Sequence, residues 1–322
     1  MWLRLVVGSA IGIACIVLAL RLVNLDDVSA SLRTTDPVFT VAALSAVLVT
    51  TYAKSARWAA LAGLGQRAGW SLLPALVIGQ LLNTLIPARV GDLARVVVGD
   101  GATGLGKAFL LGTVVLEKLV DGLCVLVVAV LILPFLRLPE WLVAGGLDVA
   151  VGVLALGVGI AALLLVGDRL LGLLARLLDR LPGSWSAWLT RSIGNALRGL
   201  GGLRSWPQRG WTAWWSFVAW TSAIATNWLV FRAVGLDADL GAAVVVLIAT
   251  QVGGSVPSIP GRVGVFHSLV AAPLLLLGID ATRAISAAVV LHLVVFGTQL
   301  VLGVLFLWRE SFDLRTLTSL RS

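Results

Sequence analysis

Apolar residues run for the length of a membrane helix at about 2–24, 38–62, 108–134, 143–166, 211–235 and 282–308. Each run meets the ~20-residue length needed to cross a hydrocarbon core. Two further apolar stretches are interrupted: 71–99 by Pro87 and Gly91, and 241–278 by Pro257, Pro260, Gly261 and Gly264. Proline removes a backbone donor and clashes with the preceding turn, so a break is expected at both places. Broken backbone at membrane depth is tolerated only where protein or a wet cavity receives it. The pattern predicts an all-α polytopic membrane protein of six to eight transmembrane helices, two of them broken or re-entrant. Residues 1–322 form one transmembrane domain on this reading. The higher count applies if each interrupted stretch is two ordinary spans joined by a short loop.

Both interruptions carry the same hexapeptide. Ile86-Pro87-Ala88-Arg89-Val90-Gly91 returns as Ile259-Pro260-Gly261-Arg262-Val263-Gly264, identical at five of six positions. Such interruptions at corresponding positions of two halves read as a transporter built from an internal repeat.

Composition narrows the class. The chain is 59% hydrophobic and 12% charged, against about 25% charged in soluble domains. Mean hydropathy is +1.02, and no polar stretch is long enough for a separate soluble catalytic domain. The formal charge of +8 fits basic loops facing anionic headgroups rather than nucleic acid, for which no basic soluble module exists. Cys15 and Cys124 sit in apolar runs and read as packing residues. The first apolar run reads as a retained span. The alternative, cleavage after Val28-Ser29-Ala30, is disfavoured because Arg21, Asp26 and Asp27 intervene.

Charge also sets the expected orientation. Arg169, Arg176, Arg180, Arg191, Arg198, Arg204 and Arg209 make 168–209 a cytoplasmic segment. Its leucines and tryptophans alternate with these arginines, as in an amphipathic helix lying in the headgroup plane. Trp206, Trp211, Trp214 and Trp215 follow as an interfacial belt. Counting spans outward puts both termini of a multi-pass cell-membrane protein in the cytoplasm; Lys54, Arg57, Arg67 and Arg309 are read as agreeing. Three full spans then separate the two hexapeptides, which are inverted relative to each other.

The candidate chemistry lies at the breaks. Arg89 and Arg262 each offer a guanidinium fork at a broken helix end, where free N–H groups also favour an anion. The alternative is that each pairs with a carboxylate and pins the break. Around Arg89 stand Gln80, Asn83, Asp92 and Arg95, with Gln80, Asn83 and Thr84 on one helix face. Glu117 and Asp121 lie one turn apart beside Lys118; they suit either proton coupling or a buried ion-pair network. His267 and His292 are candidates for proton coupling, or for plain helix-to-helix hydrogen bonding. No nucleotide fingerprint and no Cys/His cluster for a metal is present, and no cofactor is expected.

The segments Asn83…Pro87-Ala-Arg89-Val-Gly91-Asp92-Leu-Ala-Arg95 and Glu117-Lys-Leu-Val-Asp121 resemble the lysylphosphatidylglycerol synthase transmembrane-region family. Pro257-Ser-Ile-Pro260-Gly261…Gly264 resembles that family's second broken segment, with His267 where an acid is usual. The aminoacyltransferase domain of full-length synthases is missing, so lysyl transfer by this chain is not expected. The resemblance implies a flippase-like membrane domain acting on phospholipids or polyprenyl-linked glycans. The positions matching its motif, from Asn83 to Asp121, would form a core cavity.

The expected function is transport of a lipid with an anionic, phosphate-bearing headgroup between leaflets. A non-transporting subunit that presents lipid to a synthase or glycosyltransferase is the alternative, and self-association is compatible with both. An intramembrane enzyme acting on a lipid phosphate is the weaker reading, because no nucleophile has a placed base.

Overall fold

In a computed structural model, residues 33–86, 90–132, 205–254 and 260–309 are described, with a few isolated positions between 155 and 203. The runs expected at 2–24 and 143–166, and most of the amphipathic segment 168–209, lie outside the described residues. The described residues form helices joined by turns and hold no strand. The chain is an all-α membrane protein, with three helices long and apolar enough to cross a membrane among the described residues.

Helix starts follow local side-chain chemistry. Helix α1, Pro37–Leu61, begins at Asp36, whose carboxylate accepts from the Val38 and Phe39 N–H groups, with proline in its first turn. Helix α5, Trp206–Ala233, begins with a capping box between Ser205 and Gln208. Asp239 caps α6, Leu240–Gly253, and Asp280 caps α8, Ala281–His292.

Helices α1 and α5 run antiparallel. The Asp36 N–H donates to the Ala233 carbonyl at 2.8 Å, the Thr50 and Ser222 hydroxyls meet at 2.8 Å, and Trp215 Nε1 donates to Gln66 Oε1 at 2.9 Å. Residue numbers rise along one helix as they fall along the other. Cysteines replacing Thr50 and Ser222 are therefore expected to cross-link under mild oxidation in a Cys15→Ala, Cys124→Ala background. A gel mobility shift reversed by reductant checks this, and Thr50→Cys alone should show no shift.

The two broken segments form helical hairpins. Helix α2, Ala68–Leu85, turns back into α3, Val90–Thr103. Helix α6 turns back through a 3₁₀ turn, Pro260–Arg262, into α7, Val265–Leu276. At ~1.5 Å per residue, the 14 residues of α3 or of α6 extend about 21 Å, short of a ~30 Å hydrocarbon core. The first hairpin follows the Leu61 end of α1, and the second follows the Ala233 end of α5. Those ends lie at opposite ends of the antiparallel pair, so the hairpins enter from opposite ends.

Glycine permits the first hairpin to close. A Cβ added at Gly79 would lie 2.8 Å from the Gly91 carbonyl oxygen, and one at Gly91 would overlap the Gly79 carbonyl oxygen. The glycine that ends the first hexapeptide thus lets two backbones touch. In the second hairpin the turn takes left-handed backbone: φ is 77° at Gly261, 56° at Arg262 and 83° at Gly264. For a non-glycine residue such as Arg262 this conformation costs about 1–2 kcal/mol.

Helix α4, Lys107–Ile132, packs against the first hairpin and against α6. The last span, Ala281–Arg309, is α8, a π-helical turn at Leu293–Gly297 and α9, Thr298–Arg309. It reaches the first hairpin at Gly303, where an added Cβ would lie 2.7 Å from Leu81 Cβ. One apolar core joins α5 to α8 around Phe231, Leu274 and Leu291. A second, around Trp58, Leu72 and Leu110, holds the first hairpin.

The two ends of the bundle differ in charge among the described residues. Arg67, Lys107, Arg209 and Arg309 gather with Trp70, Trp206, Trp211 and Trp308 at one end. The N-capping aspartates Asp36, Asp239 and Asp280 lie at the other.

Candidate functional site

Described residues of both hairpins line one cavity of about 290 Å³. From the first hairpin it is lined by Gln80, Asn83, Thr84, Asp92 and Arg95; from α4 by Glu117, Lys118 and Asp121. The second half contributes Asn227, Thr250, Gln251, Arg262, Phe266 and Gln299. Helix α1 adds Thr50, Thr51 and Lys54. Arg262 therefore shares one cavity with the first hairpin's polar face.

Beneath one wall lies a buried ion-pair network. Arg57 is wholly buried, and its Nη2 lies 3.3 Å from Glu117 Oε1 and 2.7 Å from Asp121 Oδ1. Arg95 pairs with the other oxygen of Glu117, and its guanidinium lies 3.9 Å from the Trp58 ring centroid. Trp58 Nε1 donates to Thr113 Oγ1 at 2.9 Å, which fixes the ring beneath Arg95. Two arginines thus share one buried carboxylate, and an aromatic face supports the second. Glu117 and Asp121 are engaged as structural ion pairs.

Arg57 and Lys54 differ from the sequence reading, which placed them with the cytoplasmic loop charges. Arg57 is fully buried, and Lys54 lines the cavity. Two bases three residues apart within an apolar span, matched by two acids one turn apart in another, carried that signal. Reading basic residues only as loop markers hid it.

The rest of the first hairpin is held by side chains that cross the break. Asn83 Nδ2 donates to Asp92 Oδ1 at 3.1 Å, and Lys118 Nζ lies 3.5 Å from the same oxygen. Thr84 Oγ1 donates to Gln299 Oε1 at 3.3 Å, joining the hairpin to the last span. Gln80 Oε1 and Asn83 Oδ1 are buried and have no hydrogen-bond partner among the described residues. Arg89 and Pro87, between α2 and α3 in the sequence, lie outside the described residues.

In the second hairpin, Arg262 lies against the C-terminal end of α6. A Cβ added at Gly254 would lie 3.1 Å from Arg262 Nη1 and 3.0 Å from the Thr250 carbonyl oxygen. A cation at this position meets the negative end of the helix. Pro257 lies outside the described residues. Gly264 precedes α7, and its N–H donates to His267 Nδ1 at 3.3 Å. His267 thus reaches back to the helix start, as an acid at that position would. His267 and His292 stack with centroids 4.8 Å apart, among Phe266 and Phe296, which line the cavity. Among the described residues no group of His, Cys, Asp or Glu is arranged to hold a metal ion.

The arrangement offers cations, amides and hydroxyls around a partly open space between two broken helical segments. It holds no nucleophile with a placed base among the described residues. A model of the family described as Lysylphosphatidylglycerol synthase TM region matches residues 2–303. No curated protein and no solved structure matches the chain.

Proposed function

The chain belongs to the lysylphosphatidylglycerol synthase transmembrane-region family, and from that premise we propose that it moves an anionic, phosphate-bearing lipid between leaflets. The family points to a role with membrane lipids. The observation that carries the finer reading is the shared cavity: two hairpins entering from opposite ends bring Arg262 and the Gln80–Asn83 face to one polar site. A volume of about 290 Å³ suits a headgroup, with the acyl chains left in the surrounding lipid. Movement of one hairpin against the other would open the cavity first to one leaflet and then to the other. The end carrying Arg67, Lys107, Arg209 and Arg309 faces the cytoplasm of the cell membrane on this reading.

The test is translocation by the purified protein. In proteoliposomes holding a fluorescent phosphatidylglycerol, the wild type is expected to expose the inner-leaflet pool to membrane-impermeant dithionite. Arg262→Ala should slow that exposure by about tenfold or more, since a charge-assisted hydrogen bond contributes about 1.5–3 kcal/mol. Arg89→Ala is expected to do the same, on the strength of the repeated hexapeptide. A wild-type rate in a well-folded Arg262→Ala would overturn the assignment. Lipid binding with no translocation by the wild type would replace it with the lipid-presenting subunit.

A further inference from the structure

Among the described residues, the ion-pair network gives Lys54 no carboxylate partner. Asp121 is taken by Arg57, Glu117 by Arg57 and Arg95, and Asp92 by Lys118. Lys54 also lines the cavity, and no carboxylate among the described residues lies within ion-pair distance of it. It stands one turn from the buried Arg57, so two like charges share one side of α1. Around the cavity, the cations Lys54, Arg57, Arg95, Lys118 and Arg262 face the carboxylates Asp92, Glu117 and Asp121. An unmatched ammonium on an apolar span is costly unless an anion reaches it.

The facing wall asks for the opposite chemistry. Among the described residues, Gln80 Oε1 and Asn83 Oδ1 are acceptors without donors, one turn apart on α2. The orientation of the Asn83 amide is set, because its nitrogen donates to Asp92 Oδ1. Turning the amide over would place its oxygen on a carboxylate. A fully ionised phosphate cannot supply the missing donors; hydroxyl or amine groups beside the phosphate can.

We propose that Lys54 is an anion contact of the cavity, beside Arg262, and that Gln80 and Asn83 select a headgroup bearing hydroxyl or amine donors beside its phosphate. This deepens the lipid-transport reading and rests on it for the source of the phosphate, but the site's chemistry is testable by binding alone.

The experiment uses the purified full chain in detergent and follows its melting temperature against four ligands. These are short-chain phosphatidylglycerol, short-chain phosphatidylmethanol, glycerol 1-phosphate and inorganic phosphate. Phosphatidylmethanol carries the same charge as phosphatidylglycerol without its hydroxyls. The wild type is expected to bind phosphatidylglycerol more tightly than phosphatidylmethanol. Lys54→Met should weaken both lipids by about tenfold or more, and Lys54→Arg should retain most of the affinity. Gln80→Met should erase the preference while leaving phosphatidylmethanol unchanged. Without ligand, Lys54→Met should melt no lower than wild type, since it removes an unmatched charge; a purely structural lysine would give the reverse.

Equal stabilisation by glycerol 1-phosphate or inorganic phosphate, lost in Lys54→Met, would support the site with a free phosphate as its source. Wild-type affinity for every ligand in Lys54→Met would overturn the proposal. So would equal binding of the two lipids by the wild type. Translocation at the normal rate in a Lys54→Met protein of normal affinity would sink this inference and leave transport standing. Lys54-dependent binding without wild-type translocation would do the opposite.

Discussion

Glu117→Gln is expected to cost more stability than any other single charge removal in the described bundle. The carboxylate serves Arg57 at 3.3 Å and also Arg95, whose exposures are 0% and 3%. Arg57 would keep Asp121 at 2.7 Å. Arg95 would keep the face of Trp58 but no carboxylate among the described residues. Breaking a buried pair from one side typically costs about 3–5 kcal/mol, because the remaining charge stays desolvated. Against a net stability of about 5–15 kcal/mol, such a loss should show as poor accumulation and an early-melting protein in detergent. Asp121→Asn should cost less, since Asp121 is partly exposed and Arg57 retains Glu117. Adding Arg95→Gln to Glu117→Gln should restore part of the loss, and the double-mutant cycle measures the coupling. If Glu117→Gln melts with the wild type, the network does not hold α1, α3 and α4 together.

Gly91→Ala is expected to open the first hairpin. The new methyl would overlap the Gly79 carbonyl oxygen and lie 2.7 Å from the Asn83 backbone nitrogen. These are backbone atoms, so no rotamer change relieves the clash, and α2 and α3 must separate. Overpacking of this kind costs about 1–3 kcal/mol or more. It should also displace Asp92 from Asn83 and Lys118, since Asp92 adjoins Gly91. The expected result is a lower melting temperature together with loss of lipid stabilisation. Gly101→Ala is the control: it lies in the same helix, and an added Cβ there meets nothing within 4 Å. Helix propensity alone should make that change neutral or stabilising by up to about 1 kcal/mol. Equal behaviour of the two variants would show that the Gly79–Gly91 crossing is not needed.

Much of the architecture was legible before any tertiary contact. The run expected at 38–62 is Pro37–Leu61, the one at 108–134 is Lys107–Ile132, and the one at 211–235 is Trp206–Ala233. The run at 282–308 is Ala281–Arg309. Both interrupted stretches break between helices, after Leu85 and after Gly253. The site was legible in part. Gln80, Asn83, Asp92 and Arg95 were singled out as one polar group and line one cavity. A buried ion-pair network at Glu117 and Asp121 was one of the two readings of those residues, but the place of Arg57 in it was not legible: Arg57 read as a loop charge, and it engages both carboxylates. The π-helical turn at Leu293–Gly297 also had no marker, since no proline or glycine pair stands at its start.

The sequence by itself determined where helices run and where they break. Those properties are local: hydrocarbon thickness sets the length of an apolar run, and proline and glycine act on the turn they occupy. Only the tertiary structure decided that Arg57 is buried against a carboxylate 60 residues away, that Lys54 has no carboxylate partner among the described residues, and that both hairpins face one cavity. Those outcomes depend on how each helix is rotated and which neighbour it meets. Many different contacts fix that rotation together, among them the Gly79–Gly91 crossing and the antiparallel seam of α1 and α5.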